Sequence, residues 1–157
     1  MKYFYFTIIF LIYCGYSTRI PSLIAYKKIA LAFVENKTLK PGLEVILTQE
    51  LENYFKNVPQ IKLVNIEDSE LIISIEIDNY EKIPAVYDVF QNVAQWQINI
   101  SCQVKGQEKN SEQMIFNSFI NQQVNYQTQN EKSEEEAIRE GIRKIVAEIY
   151  RRLFSQW

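Results

Sequence analysis

The chain has 157 residues, with 17 lysines and arginines against 19 aspartates and glutamates, no histidine and a net charge of −2. That balance lacks the basic excess nucleic-acid binding needs, and the absence of histidine removes the commonest metal ligand and the commonest general base. Two cysteines are too few for a disulfide scaffold; there is no Gly-rich phosphate loop, serine elbow or metal-ligand cluster, and Asp68, Asp78 and Asp88 stand far apart.

In chain order, Lys2 precedes an apolar run, Tyr3 to Tyr13, that ends at Cys14-Gly15-Tyr16-Ser17. As a helix the run would reach about 16 Å, roughly half of the ~30 Å hydrocarbon core that a spanning helix crosses. It reads as the apolar core of an export signal, residues 1–13. A cysteine directly behind such a run is placed as a bacterial lipoprotein's is, with the Cys14 thiol taking up a diacylglycerol. Tyr13 departs from the small residue favoured before the cleavage point. The alternative reading is a short uncleaved anchor or an N-terminal strand, since Tyr and Phe also suit strands. Residues 14–26, aperiodic and containing Pro21, read as an extended tether, and residues 27–157 as one domain.

Lys28 to Glu35 reads as a strand apolar on both faces, with Ile29, Leu31 and Phe33 on one and Ala30, Ala32 and Val34 on the other, which predicts a doubly covered central strand. Pro41-Gly42 opens a helix over Leu43 to Asn57, whose stripe is Leu43, Leu47, Leu51, Tyr54 and Phe55. Lys62 to Ile66 is a short strand. Glu70 to Tyr80 alternates, with Leu71, Ile73, Ile75 and Ile77 opposite Ser74, Glu76 and Asp78. Ala94 to Lys105 sets Gln95, Gln97, Asn99, Ser101 and Gln103 opposite an apolar row that includes Cys102, read as a buried strand residue rather than a reactive thiol. Glu112 to Gln127 is the last strand, its outward side rich in amides (Asn117, Asn121, Gln123, Asn125). Ser133 with Glu136 is a capping box for a C-terminal helix. That helix has acids at its positive end, Arg151 and Arg152 at its negative end, and a stripe from Ala137 to Phe154.

The order β-α-β-β-β-α, with one apolar sheet face and two amphipathic helices, predicts an α+β two-layer sandwich: a mixed, mostly antiparallel sheet of about four strands with both helices on one face. The first strand, first helix and second strand form a right-handed crossover, making the first two strands parallel neighbours or nearly so. The amide face is then the informative surface. It is either an ordinary solvated face or a wall that docks on another polar wall, since amides donate and accept hydrogen bonds without the desolvation cost of charges.

These features together resemble the LptE family of lipopolysaccharide-assembly lipoproteins. The resemblance runs through the cysteine with Gly15-Tyr16-Ser17, the strand to Glu35, Asn36-Lys37-Thr38 and Pro41-Gly42-Leu43-Glu44. It continues through Ser69-Glu70-Leu71, then Tyr80, Pro84, Tyr87 and Asp88 before Gln95-Trp96-Gln97, and the acidic helix start Glu134–Glu136. It covers nearly the whole chain and implies the same fold, a sheet with two helices on one face. It also implies a non-catalytic protein without cofactor, lipid-anchored through Cys14 at the periplasmic face of the outer membrane. There it would plug an LptD-like β-barrel and support the barrel's assembly for lipopolysaccharide transport. Gln91, Asn92, Gln95, Gln97, Asn99 and Asn121 are the candidate barrel-facing residues.

Family members also contact lipopolysaccharide through basic residues near turns at one end of the sheet. Here the corresponding turn, Val89-Phe90-Gln91-Asn92-Val93, has no cation, and lipid phosphates want Arg or Lys. Lys82 and Lys132 are the remaining candidates for that contact, although Lys82, like Lys105 and Lys109, also reads as a single exposed, solvating lysine near a turn. The competing functions are a generic periplasmic lipoprotein scaffold or secretion pilot with the same anchor, and a small enzyme, for which the sequence offers no positive sign.

Overall fold

The computed structural model describes residues 26–127 and 133–154. Its elements are β1 (Lys28–Asn36), α1 (Leu43–Lys56), β2 (Lys62–Leu63), a 3-10 turn (Ile66–Asp68), β3 (Leu71–Tyr87), β4 (Val93–Glu108), β5 (Met114–Gln127) and α2 (Glu134–Phe154). The strands form one mixed sheet of order β2-β1-β3-β4-β5. β1 runs parallel to both β2 and β3, and β3, β4 and β5 form an antiparallel meander. The α+β class, the element order and the helices' common face agree with the periodicity. The fifth strand, beyond the expected four, is the two-residue β2 at the sheet edge.

The sequence builds the core by alternation. Ile73, Ile75 and Ile77 of β3, Ile98, Ile100, Cys102 and Val104 of β4, and Ile120 and Val124 of β5 are all buried beneath the helices. α1 meets them with Leu43, Leu47, Leu51 and Phe55, and α2 with Ala137, Ile138, Ile142, Ile145, Val146 and Ile149. Burial pushes the Cys102 thiol up to about 12, so at neutral pH it is an inert core residue. α1 begins at Gly42, whose φ of 87° lies in the left-handed region that glycine occupies without strain. α2 begins with the capping box. The Glu136 N–H donates to Ser133 Oγ (3.2 Å) and the Ser133 N–H to the Glu136 carboxylate (3.0 Å). Gly141 lets α2 lie low on the sheet: a Cβ there would sit 3.3 Å from Ile100 Cδ1 and 3.4 Å from Val124 Cγ2.

Two expectations are corrected. β1 is covered on both sides only at its start, where Ile29 and Ala30 are both buried. The pairing with β3 gains one residue between Leu31 and Val34, a bulge that turns Val34 to the buried face with Ile29 and leaves Phe33 84% exposed. Both faces of this strand are apolar in sequence, so alternation gave no sign of the phase change. β3 and β4 are also longer than expected: β3 continues from Tyr80 to Tyr87 and pairs with β4 as far as Val93, so a ribbon of β3 and β4, flanked by β5 as far as Gln95–Gln127, projects beyond the helical layer.

Ile145, fully buried where α2 crosses the sheet, should lose about 2–5 kcal/mol of stability as Ile145→Ala, from lost transfer and the cavity left. Phe33→Ser, at the exposed bulge, should change stability by less than about 0.5 kcal/mol. Urea unfolding measures both, and a reversed order of the two losses would contradict this packing.

Candidate functional site

Three groups of polar residues stand apart from the core. The first is the sheet face opposite the helices. Because the apolar rows of β4 and β5 are held under α1 and α2, the intervening residues project the other way. The register sets Gln95 beside Gln127, Gln97 beside Asn125, Asn99 beside Gln123 and Ser101 beside Asn121. The structure therefore brings Gln95, Gln97, Asn99 and Asn121 together in two adjacent rows. Gln97 Nε2 donates to Asn99 Oδ1 (2.7 Å) and Asn99 Nδ2 to the Glu81 carboxylate (3.2 Å), so the β4 row is partly satisfied within the face. The β5 row is exposed. Phe119, opposite Gln103, stands 54% exposed in the same row; its odd-numbered position in β5 was the available signal, overlooked among the amides.

The second group is the ribbon tip, which carries Gln91 and Asn92 away from the amide face. Asp88 organises the turn. Its Oδ1 accepts the N–H groups of Phe90 and Asn92 (2.8 Å each), its Oδ2 accepts Asn92 Nδ2 (3.3 Å), and its own N–H donates to the Asn92 carbonyl (2.8 Å). Those backbone donors hold its carboxyl below the usual range. Asn92 thus serves the turn itself. Gln91 adopts a φ of 63°, in the left-handed region. The side chains most presented at the tip are apolar: Val89 is 91% and Phe90 80% exposed.

The third group lies on the helix side of the sheet, at the base of the ribbon. Glu134, in the first turn of α2, accepts Lys40 Nζ (2.8 Å), Lys82 Nζ (2.6 Å) and the Tyr80 hydroxyl (3.0 Å). The Lys82 ammonium also lies 4.6 Å from the Trp96 ring centroid and 5.7 Å from that of Tyr126, a cation–π arrangement. Lys40, then Lys82, hold the Glu134 carboxyl down at about 2. Burial and then Glu134 push the Tyr80 hydroxyl up, and Glu134 raises Lys82. The sequence placed Lys82 near a turn; it sits within β3, neutralised, on the face opposite the amides. Glu134 was legible only as a helix-dipole acid, because its partners are brought to it by the fold. Cys14 and Lys132 lie outside the described residues.

Among the described residues, no group of acids or cysteines is placed to hold a metal ion, and no helix is long and apolar enough to cross a membrane. An open cleft of about 470 Å³ lies between β1 and α1, lined by Leu31, Phe33, Val34, Val45 and Thr48. It contains no cluster of chemistry-bearing groups.

The profile of the LptE lipopolysaccharide-assembly family matches residues 26–153. No curated protein sequence matches the chain. Among solved structures, it is similar to the uncharacterized lipoprotein B of Nitrosomonas europaea (TM-score 0.61, 15% identity, 83% of each chain covered). It is also similar to the hypothetical protein CT253 of Chlamydia trachomatis (TM-score 0.60, 11% identity, 82% of this chain and 98% of that one). A minor lipoprotein of Acinetobacter baumannii gives a TM-score of 0.55 at 15% identity, covering 83% of this chain and 94% of that one. At these identities the likenesses establish the fold.

The Glu134 cluster sets a pH dependence. Its folded-state value lies below the ordinary 4.5, so its contribution to stability is complete above about pH 4.5 and is lost as pH falls toward about 2. Glu148, held down by Arg151 and Arg152, titrates in the same range. Glu134→Gln should therefore remove part of the acid-limb slope and lower stability at neutral pH by about 1 kcal/mol, allowing for screening of a partly exposed group. Urea midpoints measured from acid to neutral pH report both; an unchanged acid limb would assign the titration to other groups.

Proposed function

The chain belongs to the LptE family of lipopolysaccharide assembly, whose members are non-enzymatic assembly lipoproteins, and from that premise we propose that it occupies the lumen of an LptD-like outer-membrane β-barrel, supporting the barrel's assembly and the passage of lipopolysaccharide to the cell surface. The observation that carries this reading is the pair of amide rows. Cross-strand neighbours Gln97–Asn125 and Asn99–Gln123 make a wall of uncharged donors and acceptors. The interior of a membrane barrel is polar. Along these two rows an amide wall entering it exchanges water for wall hydrogen bonds with no full charge of its own to strip of hydration, the Glu81 carboxylate bordering the wall at Asn99. The ribbon extends the same sheet and gives the protein the reach of a plug.

In this reading Cys14 carries the lipid that holds the domain at the periplasmic face of the outer membrane. Two or three acyl chains provide stable attachment, at about 0.8 kcal/mol per buried CH₂. Lipopolysaccharide phosphate has little to gain at Lys82, because it must first displace the Glu134 carboxylate.

Pull-down of the full chain from detergent-solubilised outer membrane should recover a large β-barrel protein. Photo-crosslinkers at Gln91, Gln97 and Asn121 should capture that protein. Gln97→Glu combined with Asn99→Glu should weaken the complex about tenfold or more while the isolated domain stays folded. Recovery of soluble periplasmic proteins alone would favour the scaffold or secretion-pilot reading instead.

The anchor is tested separately. Cys14→Ser should abolish acyl labelling and release the chain from membranes. Retained label and sedimentation would place the attachment at another residue.

A further inference from the structure

The two edges of the sheet are built differently. At one edge the outermost strand is β2, two residues long and bearing Lys62. Short length and lysine are the ordinary means by which a sheet edge is kept from pairing with another chain. At the other edge lies β5, Met114–Gln127, which is 14 residues long and contains no charged residue, no proline and no glycine. Its pairing with β4 runs without a shift from Lys105–Asn117 to Gln95–Gln127, so no bulge turns the edge aside. The strand itself carries none of the usual protections along this stretch.

The direction of the backbone groups follows from the ladder. The Glu108 N–H donates to the Gln113 carbonyl (3.0 Å), which aims the even-numbered residues of β4 at β5. By alternation the even-numbered residues of β5 from Ser118 to Tyr126 pair back to β4, and the odd-numbered ones aim their N–H and C=O groups outward. One of these outward carbonyls has a partner: Arg152 of α2 donates to the Phe119 carbonyl (2.9 Å) and also reaches Ser118 Oγ. That guanidinium closes the edge at Phe119. Beyond it, among the described residues, no strand lies along the outer side of Asn121 to Gln127.

We infer that this open stretch, Asn121–Gln127, is a strand-addition site that takes an extended, uncharged segment of the barrel partner as a sixth strand. The inference rests on the plug reading above and says how the plug is held. The outward residues Asn121, Gln123, Asn125 and Gln127 are also the exposed row of the amide face, so a strand added here continues that wall by one row. The site's neutrality selects its occupant, because a charge on the incoming strand would meet amides and find no counter-ion. Recognition is through the main chain, with the amide side chains setting register.

The test uses the full chain and the barrel captured from detergent-solubilised membranes, with three variants. Gln123→Pro removes an outward N–H but no ladder bond, a position where proline is tolerated in an edge strand. Gln123→Lys installs the missing guard. Gln123→Ala removes only the side-chain amide. Capture should fall about tenfold or more for the Pro and Lys forms and by only about two- to threefold for the Ala form, which gives up one side-chain amide of the wall but keeps the outward main-chain donor. Hydrogen exchange on the wild-type chain gives a second readout that needs no substitution. In the complex the amides of Asn121, Gln123 and Asn125 should slow at least about tenfold relative to the free chain, while those of Gln122 and Val124 are slow in both states. Capture by the Pro and Lys forms equal to wild type, an Ala form as weak as the Pro form, or unchanged exchange at the odd-numbered amides would each overturn strand addition and leave the plug reading standing. Failure of the wild-type chain to capture any barrel, or capture of only a second copy of itself, would overturn both.

Discussion

The molecule depends on keeping Ile98, Ile100, Cys102 and Val104 under two helices that cover one side of the sheet only. Side chains on a strand alternate with a period of two, so a slip of one residue would exchange the two faces. Gln97, Asn99 and Gln103 would then enter a core that offers them few partners, at a cost of roughly 1–3 kcal/mol for each unsatisfied group. The apolar rows would move into water. Core and amide wall are thus two consequences of one register, and neither can be changed without the other. The same argument extends through the amide pairing to β5, where Ile120 and Val124 are buried and Asn121 and Gln123 are not.

Periodicity made most of this visible because β4 and β5 are buried on one face alone. Each residue there reports its own side by its polarity. α2 was equally legible, since its stripe from Ala137 to Ile149 and the Ser133–Glu136 box are local features. β1 was not. With Ile29, Ala30, Leu31, Ala32, Phe33 and Val34 all apolar, a bulge that turns Phe33 out and Val34 in leaves no trace in the pattern. β3 appeared to stop at Tyr80 because Glu81-Lys82-Ile83-Pro84 breaks the alternation. In the fold, those residues lie in the ribbon, where Glu81, Lys82 and Pro84 are exposed and burial no longer dictates polarity.

The Glu134 cluster shows the other limit. Lys40 and Lys82 stand 94 and 52 positions from Glu134 in sequence and reach it only after β3 and α2 have docked. Their spacing carries no local signal. Once assembled, one carboxylate joins the segment before α1, the base of the ribbon and the start of α2. The ribbon is therefore tied to the helical layer at its root, while its tip is organised independently by Asp88. The two carboxylates do different work: Glu134 joins distant elements, and Asp88 satisfies the backbone of a single turn.

Gly141 lies between the Glu134 and Arg152 contacts along α2. The clearance between α2 and the sheet is set there by a hydrogen atom against Ile100 and Val124. α2 is 21 residues long, with Glu134 about 10 Å along the axis on one side of Gly141 and Arg152 about 16 Å on the other. The helix is a beam resting on a fulcrum near one third of its length. A methyl group at the fulcrum would ask the Ile100 side-chain end to give by a few tenths of an ångström; any part of that taken up by the helix instead would swing both of its ends, where Glu134 gathers two lysines and where Arg152 holds the Phe119 carbonyl. The smallest side chain in the helix thus marks the pivot about which a shift of α2 would move polar contacts that it never touches.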